Sequence, residues 1–340
     1  KDSGRVRQMV DSTGFATTIS QMDSMVDRID RHQGFLLDSL KQSGRLQQWK
    51  TVICPHDDYA YTGYLYPAAL SQIDTRIVIL MGVAHKAGDY DLQDRIVFGD
   101  YDYWETPGGK VRVSELREEV QKLLPENMFT VHAEMQQTEH SLEPIVSFLQ
   151  RNNPRVEVLP VLIPYMSFGH MKTHAEAFTE ALGQLIDNRH LKWGKSFSIV
   201  ISSDAVHYGD QGWGGKNFAA YGADTAGYKQ ATAHDNNLID SYLTGPLSET
   251  KIRKFFHATV QEASYKEYKW TWCGRYSIPF GLLTSVYLAR NQEEPAPSGY
   301  FVDYSTSIAH DPLPVSDIGM GHTAPANIHH WVGYATVGYK

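Results

Sequence analysis

Cysteine is scarce: only Cys54 and Cys273 occur in 340 residues. A disulfide-stapled scaffold is therefore excluded, although a single bridge between the two stays open. No run of 18 or more apolar residues occurs, so no transmembrane helix is expected. Positive charge is in deficit, with 31 Lys and Arg against 39 Asp and Glu, a formal net charge of −8 and a pI of about 6.0. Such a chain does not hold nucleic acid or an anionic membrane by bulk charge. Internal repeats, low-complexity tracts and Pro/Ser-rich linkers are also missing, which favours one domain over two. So are the compact metal signatures, HExxH and paired zinc-finger spacings. Any metal site must be gathered from distant positions.

What the chain has in unusual number is histidine, fifteen in all, within an otherwise ordinary globular composition of 42% hydrophobic and 21% charged residues. Residues 20–43 carry apolar residues at helical spacing, and residues 1–45 are expected to form an N-terminal segment and helix packed on a main domain of residues 46–340. The polar stretch 1–20 is expected to be loosely held. TVIC (51–54), RIVILMG (76–82), VEVLPVLIP (156–164) and SFSIVISS (196–203) read as buried strands. Helical patterns lie at 114–124, 138–152, 170–190, 224–243, 248–256 and 280–290, with closing strands at 300–305 and 331–339 and a short strand at 258–263. This alternation predicts a single α/β domain with a central, mostly parallel or mixed sheet flanked by helices.

Several apolar strands run directly into polar segments that contain His. His56 follows TVIC, His85 follows RIVILMG, and Asp204 and His207 follow SIVISS. In open α/β sheets the carboxyl ends of strands form the ligand crevice, so these segments can meet at one sheet edge. Glu139 and His140 are read as beginning a helix, and Cys273 shortly precedes another. Imidazole suits zinc, copper and iron, while a thiolate adds affinity for softer metals. A nearby metal or the cationic Arg275 is expected to lower the Cys273 pKa and favour the thiolate. A lone His after a strand is more often structural; three such residues after three strands point to a site. Cys54 is read as core, and His329 and His330 as packing or surface.

PHDDYAYTG, ILMGVAHK, TEHSLE, VLPVLIP, VISSDAVHYG and CGRYSIPFGLL occur in the order seen in the Memo family, which includes the bacterial AmmeMemoRadiSam system protein B members. The terminal YFVDYSTS and VGYATVGY also resemble that family, so the resemblance covers roughly residues 50–340. It implies a LigB-like fold, related to the class III extradiol dioxygenases. It further implies that His56, His85 and Cys273 are metal ligands. Asp204, His207 and His140 fall on pocket positions expected to bind substrate or move protons, and Asp57, Asp58, Tyr59, Glu139, Tyr208 and Arg275 are expected to line the same pocket. Two departures stand out. Asp57–Asp58 replaces a small Ala-Gly pair after the first His, adding negative charge that favours a metal or a cationic substrate. Val83–Ala84 replaces a Pro-Ser/Asn pair before His85.

The function expected on this basis is a non-haem iron-dependent oxidoreductase of dioxygenase type, with Fe(II) as first choice and Cu or Zn as alternatives, acting on a small molecule. A non-catalytic metal or peptide carrier and a metal-dependent hydrolase are the alternatives. Cys273 in place of the carboxylate of related dioxygenases argues against simple transfer of their ring-cleavage chemistry. The resemblance implies a cytoplasmic protein; a signal or lipoprotein leader upstream of Lys1 would instead imply the cell envelope or periplasm. Substrate and oligomeric state are not legible.

Overall fold

The computed structural model describes residues 4–340. Its centre is a run of five parallel strands in the order Gly109–Val113, Glu157–Ile163, Ile77–Val83, Phe197–Ser202 and Thr51–Cys54. The closing strand Trp331–Tyr339 adds antiparallel to Thr51–Cys54, and Ser298–Thr306 adds antiparallel to that. The hairpin Tyr103–Thr106/Gly109–Val113 widens the other side. The result is one mixed sheet of thirteen strands among the described residues, flanked by helices, in a single α/β domain. Among the described residues, no helix is long and apolar enough to cross a membrane.

Both faces of the sheet are covered, which is why the central strands read as continuous apolar runs. Alternate residues point to opposite faces. Ile77, Ile79 and Met81 join the cluster that includes Phe178, Phe280 and Leu283, from the helices Phe168–Arg189 and Ser277–Asn291. Val78 and Leu80 join the cluster that includes Met25, Ile29, Ile145 and Leu149, from Ile19–Gln42 and Glu143–Asn152. The first of these helices is started by Thr18, whose hydroxyl accepts from Gln21 N at 3.2 Å.

Three local expectations are overturned. Apart from residues 1–3, which lie outside the described residues, the stretch 1–20 is not loose. Val6–Arg7 pairs with Tyr103–Trp104, and the fully buried Arg7 guanidinium reaches Glu143 Oε2, Gln136 O and Glu139 O at 2.6–2.7 Å. Sequence polarity misled there because the charge is satisfied inside. Residues 258–263 form no strand: the helix Glu249–Thr259 continues into them, leaving one isolated bridge, Val260 to Tyr268. Glu139 and His140 do not begin a helix but occupy the break between Ala133–Thr138 and Glu143–Asn152. That break frees both side chains from helical spacing.

Candidate metal centre

The strand Phe197–Ser202 lies between Ile77–Val83 and Thr51–Cys54, filling a gap the chain left when it passed between the two earlier strands. Register places Ser202 beside Cys54 and Ile201 beside Met81. The three strands therefore end level, and His56, His85 and Asp204 emerge at one edge. Trp331–Tyr339 runs the opposite way, so its beginning, with His330, lies at the same edge.

His56, His85 and Cys273 each place one donor atom within 4.8 Å of the others. Hydrogen bonds decide which nitrogens face inward. Ser202 Oγ donates to Ser141 O at 2.5 Å, so it must accept from His56 Nδ1 at 2.7 Å. His85 Nδ1 lies 2.9 Å from Glu139 Oε1, a carboxylate oxygen that only accepts. Both rings thereby keep a proton on Nδ1, so Nε2 is the nitrogen that each can offer to a metal. This is the outer arrangement usual for metal-binding histidines. His56 Nε2 is 3.6 Å from Cys273 Sγ. His56 and Cys273 are buried, whereas 27% of the His85 side chain is open, towards the cavity it lines.

Burial, reinforced by His85, His140 and His207, holds the His56 pKa well below the usual imidazole range. The ring is therefore in the neutral form that coordinates metal. Burial also pushes the Cys273 thiol well up, the Asp204 charge adds to this, and the opposing pull of Arg275 is smaller. Arg275 thus pulls the thiol down as expected, but burial and Asp204 outweigh it in the metal-free protein. A cation within the donor set is what would favour the thiolate. Asp204 N donates to Cys273 Sγ at 3.1 Å, which orients the sulfur.

A cavity of about 320 Å3 opens over His56, His85 and Asp204. Asp57, Asp58, His140, Asp204 and His207 line it. His140 stacks on His85 with ring centroids 4.8 Å apart. Burial and the His85 charge lower its pKa to about 4. His207 is held at about 3 by burial and by neighbouring His85, His330 and Arg275. A base that weak serves better as a neutral hydrogen-bonding group than as a proton store. Its Nε2 is buried without a partner, which leaves it available to a ligand. Asp58 is pushed up to about 7 by burial and by Asp57, although Thr323 N and Oγ1 donate to it at 2.6 and 2.7 Å.

Five expected residues lie off the cavity wall, Cys273 among them, buried beside His56 Nε2. Glu139 sits behind His85 and positions it. Tyr59 turns into the core against Phe15, Tyr66 and Phe148. Tyr208 is buried against Trp331 and accepts from Tyr221 N at 2.8 Å. Arg275 belongs to a neighbouring cavity. Conversely, Asp11, Phe15, Trp213, Thr323 and His330 line the pocket without having been singled out. Of the two readings given to His330, packing holds and surface does not: it is buried, stacks on Trp213 at 3.9 Å, and in addition lines the cavity. Gly212, at φ +76°, permits this contact, because a Cβ there would fall 2.6 Å from His330 Nδ1. The start of an antiparallel closing strand was the one available signal for His330. Cys54 and Cys273 are both free, so no bridge joins them.

Fold and site together define a single-domain α/β protein with a His–His–Cys donor set at the carboxyl edge of its parallel strands. The chain belongs to the Memo-like protein family, whose model matches residues 29–323. It is also similar to a MEMO1 family protein of Pyrococcus furiosus, with 23% identity over 180 residues, covering 50% of this chain and 57% of that protein. The chain thus spans little more than half the length of that relative.

Proposed function

We propose that His56, His85 and Cys273 bind a transition metal, iron first, and that the protein is an oxidoreductase acting on a small organic molecule in the adjoining cavity. The observation that carries this reading is the pair of second partners, Ser202 and Glu139, which occupy both Nδ1 atoms and so reserve Nε2 of each imidazole, within 4.8 Å of a buried sulfur, for a metal. The donor set suits iron, copper or zinc. Bound iron would supply an open position at which oxygen can be activated. The protein's own part is orientation and water exclusion. Asp204 holds the His56 backbone through Oδ1 at 2.9 Å and the Cys273 sulfur through its amide. His207 offers its free Nε2 to the substrate, and Phe15 and Trp213 give the cavity an apolar wall.

Metal analysis by mass spectrometry on protein purified without added metal tests the assignment. Near-stoichiometric metal in the wild type and its loss in His56→Ala are expected; equal metal in both refutes it. Zinc rather than iron held by His56, His85 and Cys273 would redirect the reading to hydrolysis, since zinc would supply a water of lowered pKa. The unpartnered His207 Nε2, which can orient such a water, favours this as the second reading.

A further inference from the structure

A second cavity, of about 280 Å3, is walled in part by the continuations of two of the site loops: Gly88, which follows His85, and Arg275, which follows Cys273. Lys216 and Lys266 also line it. Arg275 is only 6% exposed. Its Nη2 donates to Lys266 O at 3.2 Å, and its guanidinium lies 3.6 Å from the centre of the Tyr268 ring. Its Nε is buried with no acceptor.

The other two buried arginines are differently placed. Arg7 pairs with Glu143 at 2.7 Å and Arg117 with Glu118 at 3.2 Å. Arg275 forms no ion pair among the described residues. Asp91 and Glu267, the carboxylates in the cavity wall, are exposed and do not reach it. A buried cation without a counter-charge is costly. The faces of Tyr268, Tyr276 and Tyr165, with centres 3.6, 4.6 and 5.8 Å away, offset part of that cost but accept no in-plane N–H. An anion in the cavity would supply both the charge and the acceptors.

We propose that this cavity is a second binding site, for a small oxyanion such as the carboxylate or phosphate group of an organic molecule. Arg275 is its anchor, since a guanidinium matches a planar or tetrahedral oxyanion through two parallel hydrogen bonds. Lys216 and Lys266, both exposed, flank the opening and attract the charge. This site does not depend on the metal assignment.

Calorimetric titration of the purified protein with inorganic phosphate, and separately with benzoate, tests the proposal. Saturable binding of at least one probe is expected. Affinity should fall roughly tenfold in the Lys216→Gln/Lys266→Gln variant, from the loss of two exposed charges, and binding should vanish in Arg275→Gln. The lysine variant changes only surface positions, so it decides the matter even if Arg275→Gln does not fold. No saturation by either probe overturns the proposal, as does unchanged affinity in the lysine variant. Binding that survives in Arg275→Gln but disappears in His56→Ala would place the anion on the metal and also overturn it.

Discussion

Replacing Glu139 by Gln changes one atom and removes one charge behind the candidate metal centre. The carboxylate is 2% exposed. Its Oε2 accepts from His85 N at 2.7 Å, and its Oε1 accepts from His85 Nδ1 and from Ser141 N, both at 2.9 Å. A glutamine side chain has one acceptor oxygen and cannot serve all three donors. If its oxygen takes the Oε1 position, the amide N–H groups confront His85 N, and a buried donor left unsatisfied costs about 1–3 kcal/mol. If its oxygen takes the other position, Ser141 N is orphaned and the amide donates to His85 Nδ1. The ring proton then moves to Nε2 and occupies the lone pair needed by the metal. Changes to such outer partners typically weaken metal binding about 10–100-fold. Glu139→Gln is therefore expected to lose about 1–3 kcal/mol in urea denaturation of metal-free protein, and to bind Co(II) about 10–100-fold more weakly in a chelator-competition titration. The acid limb should change too. Burial opposes the Glu139 charge, but the His85 charge and hydrogen bond, with His140, outweigh it and hold the pKa at about 2 against 4.5 ordinarily. A folded pKa below the unfolded one contributes stability that is present above about 4.5 and lost as pH falls towards 2, at most about 3 kcal/mol. The variant lacks this group, so its stability should decline less over that window. Wild-type Co(II) affinity in a folded Glu139→Gln protein would refute the claim that Glu139 sets the His85 tautomer.

Other predictions follow from the buried charges. Arg7→Met leaves Glu143 buried without its cation and is expected to cost about 3–5 kcal/mol in chemical denaturation; a loss below about 1 kcal/mol would mean that the N-terminal segment is not anchored as described. Asp235 accepts from Trp270 Nε1, Trp272 Nε1 and Tyr304 OH at 2.6–2.7 Å. Asp235→Ala orphans two buried indoles and should cost roughly 3 kcal/mol or more, together with a shift in tryptophan emission. Burial raises the Asp235 pKa to about 6 despite these donors. Its raised value means stability that is full below about 3.8 and declines as pH rises through about 6. Asp235→Asn should flatten that decline, and an unaltered pH–stability profile would count against the assignment.

The central strands were legible because a strand covered on both faces must be apolar along its whole length, as RIVILMG is. His56, His85 and Asp204 were legible as a group because each follows such a strand. Arg7 was not, because a sequence shows its charge but not Glu143, more than a hundred residues away, that neutralises it. The end of Glu249–Thr259 was misjudged for a related reason: ATVQEA suits a strand locally, yet the buried Phe255, Phe256 and Thr259 extend the helix into it. Trp213 escaped notice, and His330 was not read as lining the pocket, because neither follows a parallel strand.

The order of hydrophobic runs and polar turns by itself determined the α/β class, the carboxyl sheet edge as the site, and the ordered motifs carrying two histidines and a cysteine. Tertiary structure alone decided which atoms face inward. The tautomers of His56 and His85 depend on Ser202 and Glu139, residues far away in the chain. Whether Arg275 serves Cys273 or a cavity of its own likewise depends on where the loops fold. Local pattern reports what a segment must bury; only packing reports which distant group meets it.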